Sequence, residues 1–253
     1  MRLLRCGLAR SRSEAQALIR AGRVLVNDAR MEKPGALVSA EAKLRLQSTP
    51  RFVSRGGEKL AGALADLGLD PAGRHCVDLG ASTGGFTDCL LQAGARSVLA
   101  VDVGYGQLDW RLRSDPRVRV LERTNARHLR PEQIADFEPA AIGLVCVDVS
   151  FISATLLLPG LAALAPQAEA LVLVKPQFEA GRGQVGRGGV VREDGVRRAA
   201  VARVRDCAAA LGYAPLGEAE SRLPGPRGNR EIFLWLAPPG AAAEGAAGAG
   251  VDC

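Results

Sequence analysis

Four widely separated side chains carry the chemistry that this sequence suggests: Lys59, Asp148, Lys175 and Glu231. Lys175 ends the apolar run Leu171-Val172-Leu173-Val174, and Asp148 ends Leu144-Val145-Cys146-Val147. Neighbouring parallel strands would set the two side by side at one end of a sheet. Glu231 opens the last strand-like run, IFLWL, and Lys59 stands in SRGGEKL. A lysine at the end of an apolar strand loses hydration, which lowers its pKa and favours the neutral amine, a proton acceptor. A second lysine pushes the same way, and carboxylates oppose it. Only four of the 33 basic residues are lysines, and two of those four belong to this set. Lysine can titrate at such a place, whereas arginine stays charged. Lys175 alone reads equally well as a strand-end lysine reaching to solvent; the four together argue for catalysis.

A glycine-rich turn supplies the second signal. The segment Val77-Asp78-Leu79-Gly80-Ala81-Ser82-Thr83-Gly84-Gly85-Phe86 reads as strand, turn and helix start. In an open parallel sheet, ligands sit at the carboxyl ends of strands, where the strand order reverses. Glycine lets the backbone come close to a ligand there. The spacing departs from GxGxxG, which disfavours a dinucleotide and an NAD-dependent oxidoreductase. Asp78 precedes the turn and suits a cationic or amine group. Asp102 closes the next strand, where an acid takes ribose hydroxyls. Two acids flanking such a turn fit S-adenosylmethionine, held by Asp78, Gly80, Ala81, Ser82, Thr83, Gly84, Gly85, Phe86, Asp102 and Asp148. Asn125 follows the third strand and either meets the adenine or simply forms a turn.

These groups need a scaffold that brings strand ends together. Apolar runs at about 74–79, 97–102, 118–122, 142–148 and 170–175 alternate with helical patterns at about 84–94, 107–113 and 153–164. A longer helix falls at about 193–211, with later strands at about 213–219 and 231–236. This alternation predicts an α/β fold, a parallel sheet covered on both faces. Residues 49–57 read as a linker, a helix starts at Glu58, and the tail from 238 to 253 is expected to be disordered. The glycine run from Gly181 to Gly189 follows Lys175 and reads as a lid over substrate or as a passive loop.

Residues 1–48 read as a separate α/β module: a helix over Ser11–Arg20, a strand at Val24–Val26, a turn at Asn27-Asp28 and a strand at Lys43–Leu46. Residues 1–60 hold 13 basic and 5 acidic side chains, while the rest of the chain is close to neutral. A basic block on a near-neutral body suggests a polyanion-binding module, with Arg5, Arg10, Arg12, Arg20 and Arg23 as its phosphate contacts. The six cysteines form no CxxC pair, and nothing has metal-ligand spacing, so no metal is expected. The uncharged stretch 149–168 is broken by Pro159 and Pro166 and contains polar residues, so it is not read as a membrane span.

The segments DLGASTGGFTD, VDVGYGQLDWRLRSDPRV, LERTNARHL, DVSFIS, LVKPQFEAGRGQVGRGGVV and PGPRGNREIFLWL together resemble the TlyA-type proteins. These are ribosomal RNA 2′-O-methyltransferases of the FtsJ-like class that also carry the name haemolysin A. The resemblance spans about residues 5–236. It implies a Rossmann-like class I methyltransferase sheet, mostly parallel with the last strand reversed, behind a small RNA-binding domain like that of ribosomal protein S-four. It further implies S-adenosylmethionine as cofactor and the ribose 2′-hydroxyl of cytidine as acceptor. The implied partner is ribosomal RNA in ribosomal subunits, in the cytoplasm, with no membrane and no stable protein partner. The family's K-D-K-E tetrad falls on Lys59, Asp148, Lys175 and Glu231. Family members usually carry a few more residues before the first helix, so one or both ribosomal subunits remain as targets. Two rival readings follow from the same sequence: a haemolysin-type pore former, which lacks its expected signal or span, and an RNA-binding protein with an inactive methyltransferase fold.

Overall fold

Turn chemistry sets the first unit. The computed structural model describes residues 2–20, 22–47 and 50–240, and the chain divides into two compact units, Met1–Arg51 and Phe52–Cys253. In the first, helix α1 (Arg2–Arg5) precedes α2 (Arg12–Arg20). Ser11 Oγ accepts the Glu14 amide at 3.1 Å and caps α2. Strands β1 (Val24–Val26), β2 (Ala29–Met31) and β3 (Leu44–Leu46) form an antiparallel sheet in the order β2-β1-β3. Asn27 and Asp28 both take left-handed backbone, φ 49° and 65°, as a two-residue hairpin turn requires. That turn creates β2, which was not expected because Ala-Arg-Met shows no alternation. Leu3, Ala9, Ala15 and Val24 form the buried centre of this unit.

The second unit runs α3 (Arg55–Leu67), β4 (His75–Leu79), α4 (Gly85–Gln92), β5 (Ser97–Val101), α5 (Trp110–Arg113), β6 (Val118–Leu121) and β7 (Ile142–Val147). It continues through α6 (Leu158–Leu164), β8 (Glu169–Val174), α7 (Pro176–Glu179), α8 (Asp194–Ala210), β9 (Ala214–Glu220) and β10 (Ile232–Ala237). The seven strands lie in the order β6-β5-β4-β7-β8-β10-β9. The first five pair in parallel, and β10 pairs antiparallel with both neighbours. This is the expected Rossmann-like sheet with its last strand reversed. Short 3-10 turns, not a long helix, fill the crossover between β6 and β7. Most of the expected tail, from residue 241 on, lies outside the described residues.

Side chains alternate across the strands into two cores. Val77, Leu79, Val145, Val147, Val172 and Leu234 pack with α6 and α8 on one face. Cys76, Cys146, Leu171 and Phe233 pack with Leu60 and Leu64 of α3 and Phe86 and Leu90 of α4 on the other. Each fully buried Leu or Phe contributes about 1.5–3 kcal/mol from area removed from water.

The expected linker is corrected by this packing. Helix α3 begins at Arg55, three residues earlier than Glu58, and Phe52 is buried in the core. The Gly56-Gly57 pair is a contact point and not a flexible joint: a Cβ on Gly57 would collide with the Phe52 ring. Composition alone cannot separate a flexible glycine pair from a close-packed one.

Asp78 departs from the apolar alternation. It is wholly buried, and its Oδ2 accepts from the Thr87 amide at 2.9 Å and the Thr87 hydroxyl at 2.7 Å in the first turn of α4. Burial pushes its pKa up to about 7; the Thr87 hydroxyl bond opposes this, and the Asp148 and Asp102 charges add to it. An unfolded aspartate titrates near ~3.9. Between that pH and 7 the folded chain keeps a proton that the unfolded chain has lost. The stabilisation is therefore fully present in acid and lost as pH rises through the folded pKa. Asp78→Asn removes this titration. The wild-type unfolding free energy, measured against the variant by urea melts, should fall between about pH 5 and about pH 8. A pH-independent difference between the two proteins rules this origin out.

Candidate active site

The sheet order places a crevice where the chain reverses direction. From β4 it moves outward through β5 and β6, then returns to β7 on the other side of β4. β4 and β7 stay paired to their carboxyl ends, and the segments that follow them leave toward opposite faces of the sheet, α4 to one and α6 to the other. The turn after β4 starts at Gly80, with φ 92°, and a Cβ there would lie 2.7 Å from the Asp148 carbonyl oxygen. Only glycine meets both demands. Across the turn, Asp102 Oδ2 accepts from the Ser82 amide at 2.8 Å and Oδ1 from the Gly104 amide at 2.6 Å. The carboxylate thus ties the exits of β4 and β5 together.

Two adjoining hollows open here. One, of about 210 Å³, is lined by Gly80, Ala81, Ser82, Thr83, Gly85, Phe86 and Asp148, together with Ser54 and Arg55 from the start of α3. The other, of about 460 Å³, is lined by Lys59, Asp148, Lys175 and Glu231, with Phe151 and Phe178 on its wall. Lys59, Gly80, Ser82 and Asp148 border both, so the two form one cleft.

The four expected catalytic residues all meet in it. Lys175 Nζ lies 2.5 Å from Asp148 Oδ1, off the hydrogen-bonding direction of that oxygen. It donates instead to the Val149 carbonyl at 2.9 Å, the Ser150 hydroxyl at 3.0 Å and the Asp148 carbonyl at 3.4 Å. Lys59 Nζ donates to Glu231 Oε2 at 2.5 Å. Glu231 is fully buried, and both lysines are less than 10% exposed. The reversed direction of β10 explains the meeting: Ile232 pairs with Val174, so the start of β10 stands beside the end of β8. Burial raises the Asp148 pKa, while the neighbouring Lys175 charge, and then that of Lys59, pull it down.

Other expected site residues fall elsewhere. Asp78 is beneath the turn, bonded to Thr87, and does not line the cleft. A strand-end acid can cap the following helix as readily as it can face a ligand. Gly84, with φ 95°, has no room for a side chain because Leu108 and Leu112 fill that space. Asn125 is exposed and accepts the Arg127 amide at 3.0 Å, capping a 3-10 turn. That is the simpler of its two readings.

The glycine run is tethered at its far end. Asn229, buried, accepts the Val191 amide at 2.9 Å and donates to the Gly189 carbonyl at 2.8 Å. Arg227 donates to the Gly188 carbonyl at 2.8 Å. Asn229, Ser150 and Glu179 were not singled out from sequence; Ser150 and Asn229 each lie two residues from a tetrad member, which was the available signal. In the first unit, Arg5, Arg12 and Arg20 are exposed. Arg10 is ion-paired with Glu14 at 3.3 Å, and Arg23 donates to the Gln47 carbonyl at 2.9 Å. Among the described residues no helix is long and apolar enough to cross a membrane.

The residues fit a cationic, nucleoside-bearing cofactor. Asp102 and Asp148, the acids that follow β5 and β7, stand on either side of the Gly80 turn, and the hollow beside that turn is lined by Gly80, Ser82 and Asp148. Comparison with known proteins agrees. Residues 52–237 match the family model described as FtsJ-like methyltransferase, and residues 2–44 match the S4 domain. The 16S/23S rRNA (cytidine-2′-O)-methyltransferase TlyA of Mycobacterium tuberculosis is 51% identical over 237 residues, covering 92% of this chain and 87% of that protein. Hemolysin A of Brachyspira hyodysenteriae is 39% identical, covering 90% and 94%. The solved structure of a protein described as a putative hemolysin, from Streptococcus thermophilus, superposes with a TM-score of 0.73 at 41% identity, over 92% of this chain and 85% of that one. A match this long, running from the buried Phe52 to the end of β10 and enclosing the whole cleft, shows that the chain belongs to the FtsJ-like methyltransferase family.

Proposed function

We propose that this protein transfers the methyl group of S-adenosylmethionine to the ribose 2′-hydroxyl of cytidine in ribosomal RNA, within ribosomal subunits in the cytoplasm. The observation that carries the reading is the meeting of Lys175, Asp148, Lys59 and Glu231 in one cleft beside the Gly80 turn. The substrate class follows from the relative at 51% identity, whose name states it. Another relative carries the name hemolysin, but the cleft and the family match favour the enzyme reading.

When bound, S-adenosylmethionine supplies an electrophilic sulfonium methyl. The chain's own task is to hold the 2′-hydroxyl in line and take its proton. Asp102 accepts the cofactor ribose hydroxyls while spanning the Ser82 and Gly104 amides. Asp148 stands between the Gly80 turn and Lys175, and fixes the amine toward the cleft. Lys175 takes the proton. Lys59 and Glu231, locked together, position the hydroxyl. Phe151 and Phe178, with ring centroids 5.6 Å apart, offer an aromatic wall for a base. The S4 domain supplies phosphate contacts through its exposed arginines, Arg12 foremost.

Three outcomes are expected. Lys175→Ala should lower single-turnover methyl transfer by about 10²–10⁴-fold with cofactor affinity near normal, since a positioned base contributes that much. Lys175→Arg should not restore it, because a guanidinium does not give up its proton. A folded Lys175→Ala protein with wild-type turnover would falsify the assignment. Asp102→Ala should weaken cofactor binding by about 1–3 kcal/mol in calorimetric titration; unchanged affinity refutes the ribose placement. Arg12→Ala should reduce the salt slope of RNA binding by roughly 0.7–0.9. Arg10→Ala should change it less, because Glu14 already holds that guanidinium. Equal slopes for wild type and Arg12→Ala remove Arg12 from the interface.

A further inference from the structure

The loop that feeds Lys175 its acceptors is itself held from one place. Val149, Ser150 and Asp148 supply the carbonyl and hydroxyl oxygens around Lys175 Nζ. Their loop, after β7, carries Phe151 in a left-handed conformation, φ 71°, and continues to Ser153, which caps a 3-10 turn over Ala154–Leu156. A non-glycine residue in that conformation persists only where surrounding contacts over-determine the loop.

Those contacts converge on Glu179. Its side chain is 4% exposed. One carboxylate oxygen accepts from the Ser153 hydroxyl at 2.5 Å, and the other accepts from the Ala154 amide at 2.6 Å. Its own carbonyl accepts from the Arg203 guanidinium on α8. Glu179 ends α7, the single turn that begins directly after Lys175. The segment bearing the lysine and the loop bearing its acceptors are therefore joined twice, once at Lys175 and once at Glu179.

The geometry points to Glu179 as a positioning residue for methyl transfer: it fixes the Asp148–Ser153 loop, and so sets where the Lys175 amine points. It touches neither substrate nor cofactor, since it does not line the cleft. A carboxylate with two charge-assisted bonds holds its partners more tightly than neutral groups do. Loss of the brace lets the loop relax, and a displacement of about 1 Å at a reacting group can cost about 10²-fold in rate.

This inference rests on the catalytic reading of Lys175, and the experiment separates the two. Single-turnover methyl transfer is measured at saturating RNA and cofactor for Glu179→Ala, Glu179→Gln, Ser153→Ala and Lys175→Ala, with melting curves and binding titrations for each. Glu179→Ala should slow the saturated rate by about 10–100-fold while the dissociation constants for S-adenosylmethionine and RNA stay near wild type. Glu179→Gln should recover most of that rate. Its amide oxygen still accepts from Ala154, and its NH₂ donates to Ser153 Oγ, whose proton turns to Thr155 Oγ1, 2.6 Å away. Ser153→Ala should slow transfer less than Glu179→Ala, and the double variant should be no slower than Glu179→Ala alone. A purely structural role predicts a lower melting temperature with an unchanged rate per folded molecule, which overturns the inference. So does a Glu179→Gln protein as slow as Glu179→Ala. If Glu179→Ala does not fold, the Gln and Ser153 variants decide: wild-type rate in Ser153→Ala, or no activity in a folded Gln variant, overturns it. Wild-type turnover in folded Lys175→Ala overturns the active-site reading instead.

Discussion

Glu231 has no access to solvent, and that constraint shapes the rest of the site. A carboxylate taken fully out of water is tolerated only beside a cation, and Lys59 Nζ at 2.5 Å supplies one. Lys59 lies in the first helix of the methyltransferase unit, and Glu231 directly precedes its last strand. Their pairing therefore demands that the sheet be complete before the charges are buried. Breaking such a pair by removing one partner typically costs about 3–5 kcal/mol, because the other charge is left alone in the interior. Gly225 belongs to the same constraint. A Cβ there would collide with the Glu231 carboxylate, so the turn before β10 closes over the acid only with glycine at that position.

The reversed strand converts this local pairing into a cleft. Five parallel strands bring their carboxyl ends to one edge. A sixth parallel strand beside β8 would carry Glu231 to the opposite edge. Antiparallel β10 brings its beginning there, and the turn before it carries Asn229 and Arg227 to the glycine run. The wall opposite the Gly80 turn is thus built from two loops stitched together by backbone carbonyls and a buried amide. Of the two readings of that run, lid and passive loop, the structure favours a tethered wall over its last third.

Acids at neighbouring strand ends repel one another, and the fold manages this by giving each a different partner. Asp78 is buried under α4 against Thr87, Asp102 spans two backbone amides, and Asp148 faces Lys175. Three carboxyl groups of similar sequence context thereby acquire three distinct roles. The Asp78 carboxyl, pushed up to about 7, holds its proton into the neutral range, which lessens the repulsion among them.

The sequence by itself determined a good deal: the apolar runs, the glycine turn after β4 and the two lysines that end up in the cleft. Each is legible because periodicity and residue type act locally, on a strand or a turn. What it left open lies in side-chain direction beyond a strand end. Asp78 and Asp148 both end an apolar run, yet one turns into the core and the other into the cleft. Gly56-Gly57 has the composition of a joint and the packing of a contact point, because Phe52 and Gly85 close upon it. Asn125 caps a turn, whereas Glu179, with no motif to announce it, holds Ser153 and Ala154, which lie 26 and 25 residues earlier in the chain. These choices depend on which neighbour arrives from a distant part of the chain, and only the assembled tertiary structure brings that neighbour into reach.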